Sequence, residues 1–178
     1  MTFALLAAVS IVLPILSMLI EWIVGVRLSE RHHSRHDTYV ISTALTGALS
    51  LAMLFMGMLG LLLSWLCWIG VFRANMTTMI GFFSSFVVVM FVMWAALRHY
   101  RVTTYDDYLE VTPFVGPMRT IRYSDIEALC WSRPRLLSSG RDIFVIVNGK
   151  IAAVLIGTFD LDQILMRINR NDVLENTP

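Results

Sequence analysis

Charge is what the first half of this chain lacks. Positions 1–97 hold only seven acidic or basic side chains (Glu21, Arg27, Glu30, Arg31, Arg35, Asp37 and Arg73), whereas positions 98–178 hold ten of each sign. With 57 % hydrophobic and 15 % charged residues in 178, the composition excludes an ordinary soluble domain of this length. A formal net charge of +1 excludes the basic stripe of a nucleic-acid binder. The two cysteines, Cys67 and Cys130, form no CxxC pair, which excludes a disulfide framework and a cysteine-rich metal site. GxSxG, HExxH and phosphate-cradling glycine loops are missing too, so a non-enzymatic protein without a cofactor is expected. Met1 to Ile20 lacks the basic start and the small-residue cleavage site of a secretory signal, so the first apolar run is expected to be a retained span.

What is there instead is apolar length. About 20 apolar residues cross a bilayer core, and three segments qualify: about 3–26, 39–63 and 76–97. Thr38 to Phe72 is 35 residues without a charge, too short for two spans and a turn. It is read as one span followed by an interfacial stretch, "WLCWIGVF", whose Trp65, Trp68 and Phe72 suit the water–lipid boundary. Arginine placement gives the direction. Arg27, Arg31, Arg35, Arg98 and Arg101 lie on one side and Arg73 on the other, which predicts an external N-terminus and a cytoplasmic C-terminal domain in a multi-pass cell-membrane protein. Small residues form two four-residue ridges, Ala44, Ala48, Ala52, Gly60 and Ser64 on the second span and Thr77, Gly81 and Ser85 on the third. Such ridges let helices pack closely within the three-helix unit or, alternatively, between copies.

Two polar features compete for a functional reading. His32 and His36 are four apart in "RLSERHHSRHD", and His99 falls at the same membrane face. That is a candidate metal set, but no carboxylate stands at general-base spacing, and the neighbouring arginines disfavour a bound cation. The stretch is read as a topology signal. Glu21 is the one ionisable residue inside an apolar run and is the intramembrane polar candidate. It lies six residues before Arg27, about 9 Å along a helix, so its carboxylate is within reach of water. Met53, Met56 and Met58 read as adaptable packing.

From Tyr100 the apolar period changes to two. Strands are predicted over about 99–105, 108–113, 118–123, 126–132, 142–148 and 150–157. "VNGK" predicts a hairpin turning at Asn148-Gly149, and Asp106-Asp107 and "FVGPM" are weaker turn signals. Asp160 and Gln163 predict the start of a helix whose Leu161, Ile164, Leu165 and Ile168 share one face, with Arg167 and Arg170 at its end. The polar "NDVLENTP" is expected to fray. The fold class is thus a membrane protein with three transmembrane α-helices (1–97), a small α+β domain of about six antiparallel strands and one C-terminal helix (98–171), and a flexible tail (172–178).

Over about 99–170, "YDDYLEV", "FVGPMRTIRYSDI" and "FDLDQILMRI" in this order resemble the bacterial pleckstrin-homology-like domains, many of which sit beside membrane spans. The resemblance implies an interaction or assembly module without catalysis. One departure is the first turn: phosphoinositide-binding members are basic there, whereas this chain has Asp106-Asp107, which argues against specific phosphoinositide recognition. Arg119, Arg122, Arg133, Arg135 and Arg141 remain as candidates for contact with anionic headgroups or a partner, at about 1 kcal/mol per arginine near a charged bilayer. The expected partners are the lipid bilayer and a membrane or cytoplasmic protein, or a second copy. The main reading is an assembly module or accessory subunit. The alternatives are a small oligomeric transport or channel component using Glu21 and the small-residue ridges, and a metal-dependent membrane enzyme using His32, His36 and His99.

Overall fold

The computed structural model describes residues 2–28, 37–132, 141–157, 161–169 and 174–175. Three helices are long and apolar enough to cross a membrane: α1 (Thr2–Leu28), α2 (Thr43–Trp68) and α3 (Met76–His99). Their ends follow local chemistry. Asn75 caps α3, its side-chain oxygen accepting from the Thr77 and Thr78 amides at 2.8 and 3.4 Å. Arg98 and His99 occupy the last turn of α3, where the helix dipole favours cations. α2 does not stop near Leu63 as expected. It runs through Trp68 and closes on Gly70 at φ 81°, with Gly70 N–H donating to Cys67 O and Val71 N–H to Leu66 O. This is a Schellman stop, in which glycine takes the left-handed position at least cost. Trp65 and Trp68 are therefore helical, and both are exposed near the C-terminal end of α2.

The helices pack on a seven-residue period. α2 buries Thr46, Ser50, Met53, Gly57, Gly60 and Ser64, spaced alternately by four and three. α1 buries Ser10, Pro14 and Ser17 in the same rhythm, and α3 follows it with Ile80, Ser84, Val87 and Trp94 while also burying Phe83. Period 3.5 keeps one seam turned toward a neighbouring helix. The seam is not the expected ridge: Ala44, Ala48, Thr77 and Ser85 are exposed, Ala52 and Gly81 are half-buried, and only Gly60 and Ser64 belong to it. A strict four-residue step drifts round a helix, whereas alternating fours and threes stay on one face.

The chain divides into two compact units, the helices in one and the sheets in the other. The sheet unit contains one strand from outside the expected domain. Between α1 and α2, Asp37–Val40 forms β1, which pairs antiparallel with β2 (Arg101–Thr104). The first sheet has the order β1-β2-β3-β4, with β3 at Tyr108–Thr112 and β4 at Arg119–Arg122. The second is β7-β6-β5-β8: β5 (Ala128–Trp131), β6 (Ile143–Val147) and β7 (Lys150–Leu155) are antiparallel, and β8 (Leu174–Glu175) is added parallel to β5. The expected flexible tail thus contributes two paired residues. Asn148 and Gly149 turn the β6–β7 hairpin at φ 52° and 66°, as "NGK" predicts. α4 (Leu161–Ile168) buries Leu161, Ile164, Leu165 and Ile168, and the sheets bury Val102, Leu109, Val111, Ile121, Leu129, Ile143, Val145 and Leu155. Alternating apolar positions supply this core, as a sheet with one wet face requires.

Candidate functional site

Within the helical unit the polar groups meet one another. Ser10 Oγ and Ser84 Oγ are 2.9 Å apart, and Ser84 Oγ also lies 3.1 Å from Leu6 O and 2.7 Å from Ile80 O. Ser50 and Ser64 donate to the carbonyls four residues earlier, Thr46 O and Gly60 O. Ser17 donates to Pro14 O at 2.8 Å. Hydroxyls that return to helix carbonyls can be buried without stranding a donor. Glu21, the intramembrane candidate, accepts from Trp94 Nε1 at 2.9 Å, joining α1 to α3. Trp94 is buried. A carboxylate is an acceptor only, and an indole N–H a donor only, so the pair is matched in kind. Sequence reading left Glu21 without a named partner, because the helix rotations that bring it to Trp94 are set by packing.

Pro14 shapes the same seam. It has no N–H, so the Ser10 carbonyl four residues earlier loses its helical donor. Gly57 of α2 faces that carbonyl so closely that a β-carbon there would lie 3.3 Å from the Ser10 carbonyl carbon and nearer still to its oxygen. Gly60 faces Phe83 of α3, where a β-carbon would meet the Phe83 Cβ at 2.5 Å. Two glycines three apart thus set how close α2 comes to each neighbour.

In the sheet unit, the five candidate arginines separate. Arg133 and Arg135 lie outside the described residues, as do His32 and His36. Arg122 and Arg141 are exposed. Arg119 has a structural engagement. Opposite Val145 and Ile146 the ladder skips Ala152 of β7, and Arg119 Nη1 of β4 donates to the Ala152 carbonyl at 2.9 Å, tying one sheet to the other across a bulge. His99 ends α3 and is exposed. Among the described residues no group of three His, Cys, Asp or Glu side chains converges as a metal site.

Tyr100 links α3 to β2 and is buried. Its hydroxyl donates to Val154 O, and its ring stacks on Phe114 with centroids 4.6 Å apart. Burial pushes the phenol well above its usual range, the Asp142 carboxylate raises it further, and a hydrogen bond with the Ile156 backbone lowers it. Tyr105 and Tyr108 stack at the opposite end of the sheet, centroids 4.4 Å apart.

No family model, no curated protein and no solved structure matches this chain.

Proposed function

We propose that this is a non-enzymatic integral membrane protein whose sheet domain is pleckstrin-homology-like, lies on the cytoplasmic side of a cell membrane, and serves as an assembly module or accessory subunit. The observation that carries the reading is β1. Val40 lies three residues before α2, and Arg101, its partner, two residues after α3. A strand pair forms on one side of a bilayer, so the chain between Val40 and Arg101 crosses twice, and one side holds the whole domain. The arginine asymmetry then favours the cytoplasmic side. Two antiparallel sheets followed by one helix support the pleckstrin-homology-like reading.

An interaction role is supported by the exposed Arg122 and Arg141. The transport reading has less to rest on, since the buried serines of the helical seam donate to or pair with groups of the helices themselves. Photocrosslinking in native membranes tests the proposal, with a benzophenone amino acid in place of Arg122 or Arg141. Discrete protein adducts at these positions are expected. Adducts to lipid alone would overturn the assembly role.

A further inference from the structure

The two ends of the first sheet differ in chemistry, and connectivity says which of them the apolar helices join. At one end Val40, Arg101 and Thr112 lie side by side across β1, β2 and β3. From this end the chain enters α2 at Thr43 and arrives from α3 at His99. The turn joining β3 to β4 springs from this end too, directly after Thr112, with the sequence Pro113-Phe114-Val115-Gly116-Pro117-Met118. At the other end Asp37, Thr104 and Leu109 are neighbours, and the β2–β3 turn there carries Asp106-Asp107. One end carries Asp37, Asp106 and Asp107 with Arg122; the other has Arg101 and Arg119 beside an apolar turn.

That turn has no polar side chain and shows its apolar ones. Val115 is 87 % exposed, Met118 58 % and Phe114 39 %. A soluble turn between strands is ordinarily built from polar residues. Two prolines restrict its backbone, and Gly116 at φ 110° supplies the one conformation other residues avoid. Its root is fixed as well, because Phe114 stacks on Tyr100, one residue beyond α3. A stiff apolar turn with nearby arginines, rooted on Tyr100, which follows α3 in the chain, suits the boundary where headgroups meet acyl chains.

We infer that the Phe114–Met118 turn inserts into the bilayer interface, so that lipid is the occupant of this apolar surface. The inference depends on α2 and α3 lying in lipid and is independent of any protein partner.

The test uses the full chain with Cys67 and Cys130 replaced by serine, reconstituted at one copy per phosphatidylcholine–phosphatidylglycerol nanodisc. An environment-sensitive fluorophore is attached at Val115→Cys, at Asp106→Cys on the far turn, or at Phe82→Cys, an exposed position in α3. Lipids spin-labelled near the headgroup should quench position 115 at least twofold and leave 106 unchanged, while iodide in the water quenches 106. Quenching at 82 by lipids labelled deeper in the chain establishes that the spans are inserted. Iodide access at 115 equal to that at 106 would overturn the inference. So would protection from iodide without lipid quenching, which would assign the turn to protein contact.

Discussion

Gly57→Ala measures how much the helical unit depends on close approach. The added methyl must displace the Ser10 carbonyl, which belongs to backbone and moves only with α1. Overpacking of this kind costs about 1–3 kcal/mol. Alanine also improves helix propensity by up to about 1 kcal/mol over glycine. Gly47→Ala in the same helix isolates that gain, because a β-carbon at 47 meets nothing within 4 Å. The difference between the two variants therefore cancels propensity and reads packing alone, at about 1–3 kcal/mol. Gly47→Ala should be neutral or stabilising and Gly57→Ala destabilising. Equilibrium unfolding in mixed micelles, with dodecyl sulfate raised stepwise and helix content followed by circular dichroism, gives both values. Equal stability of the two variants would refute the claim that α1 and α2 meet at Gly57.

Four further outcomes are expected. Trp94→Phe removes the donor to Glu21 and should cost about 0.6–1.7 kcal/mol in the same unfolding assay, the range for hydrogen bonds between helices in lipid; Glu21→Gln, which keeps an acceptor, should cost less than Glu21→Leu. Folded Tyr100 keeps its proton where the unfolded chain loses it, so stability should be complete below about pH 10 and fall above it, by up to about 1.4 kcal/mol per pH unit. Alkaline melts of Tyr100→Phe should lack that component of the decline. Arg119→Ala should destabilise by about 1 kcal/mol through loss of the Ala152 contact while Arg122→Ala stays within about 0.5 kcal/mol of the parent, as thermal melts would show. Thr38→Cys with Thr103→Cys, in a background without Cys67 and Cys130, should form a disulfide on mild oxidation of the folded protein, since the two Thr hydroxyls are 3.3 Å apart in paired strands; a crosslink that appears only after denaturation would remove β1 from the sheet.

Much of this architecture is legible in the sequence because long apolar runs and period-two alternation are local signals. Strands β2 to β7 fall within a few residues of where alternation places them, and Leu161, Ile164, Leu165 and Ile168 form the buried face of α4 as their spacing requires. β1 escapes because "DTYV" adjoins a charge-free stretch and its hydropathy merges with α2, although its partner lies more than sixty residues away. β8 escapes because two residues carry no period. The helical seam is misread for a geometric reason: small residues suggest a ridge at every fourth position, but the face buried in α2 follows alternating steps of four and three instead. Arg119 carries no signal of its role, since the carbonyl that it meets is freed only by a bulge on another strand.

The position of β1 in the chain also orders events during synthesis. Its residues leave the ribosome before α2 and α3, yet the strand that receives them, Arg101–Thr104, follows both. No β1–β2 bond can form until two later helices have been made and, on the proposed topology, have crossed the bilayer and back. Pairing across such a separation is slow compared with local hairpins such as β6–β7. Until then the edge of β2 stays open, an edge of the kind that recruits stray strands. On that topology, completion of the sheet would report that α2 and α3 are both in place: a chain with one of them stalled would strand β1 on the far side and expose a sheet edge, the form of damage that quality-control proteases and chaperones detect.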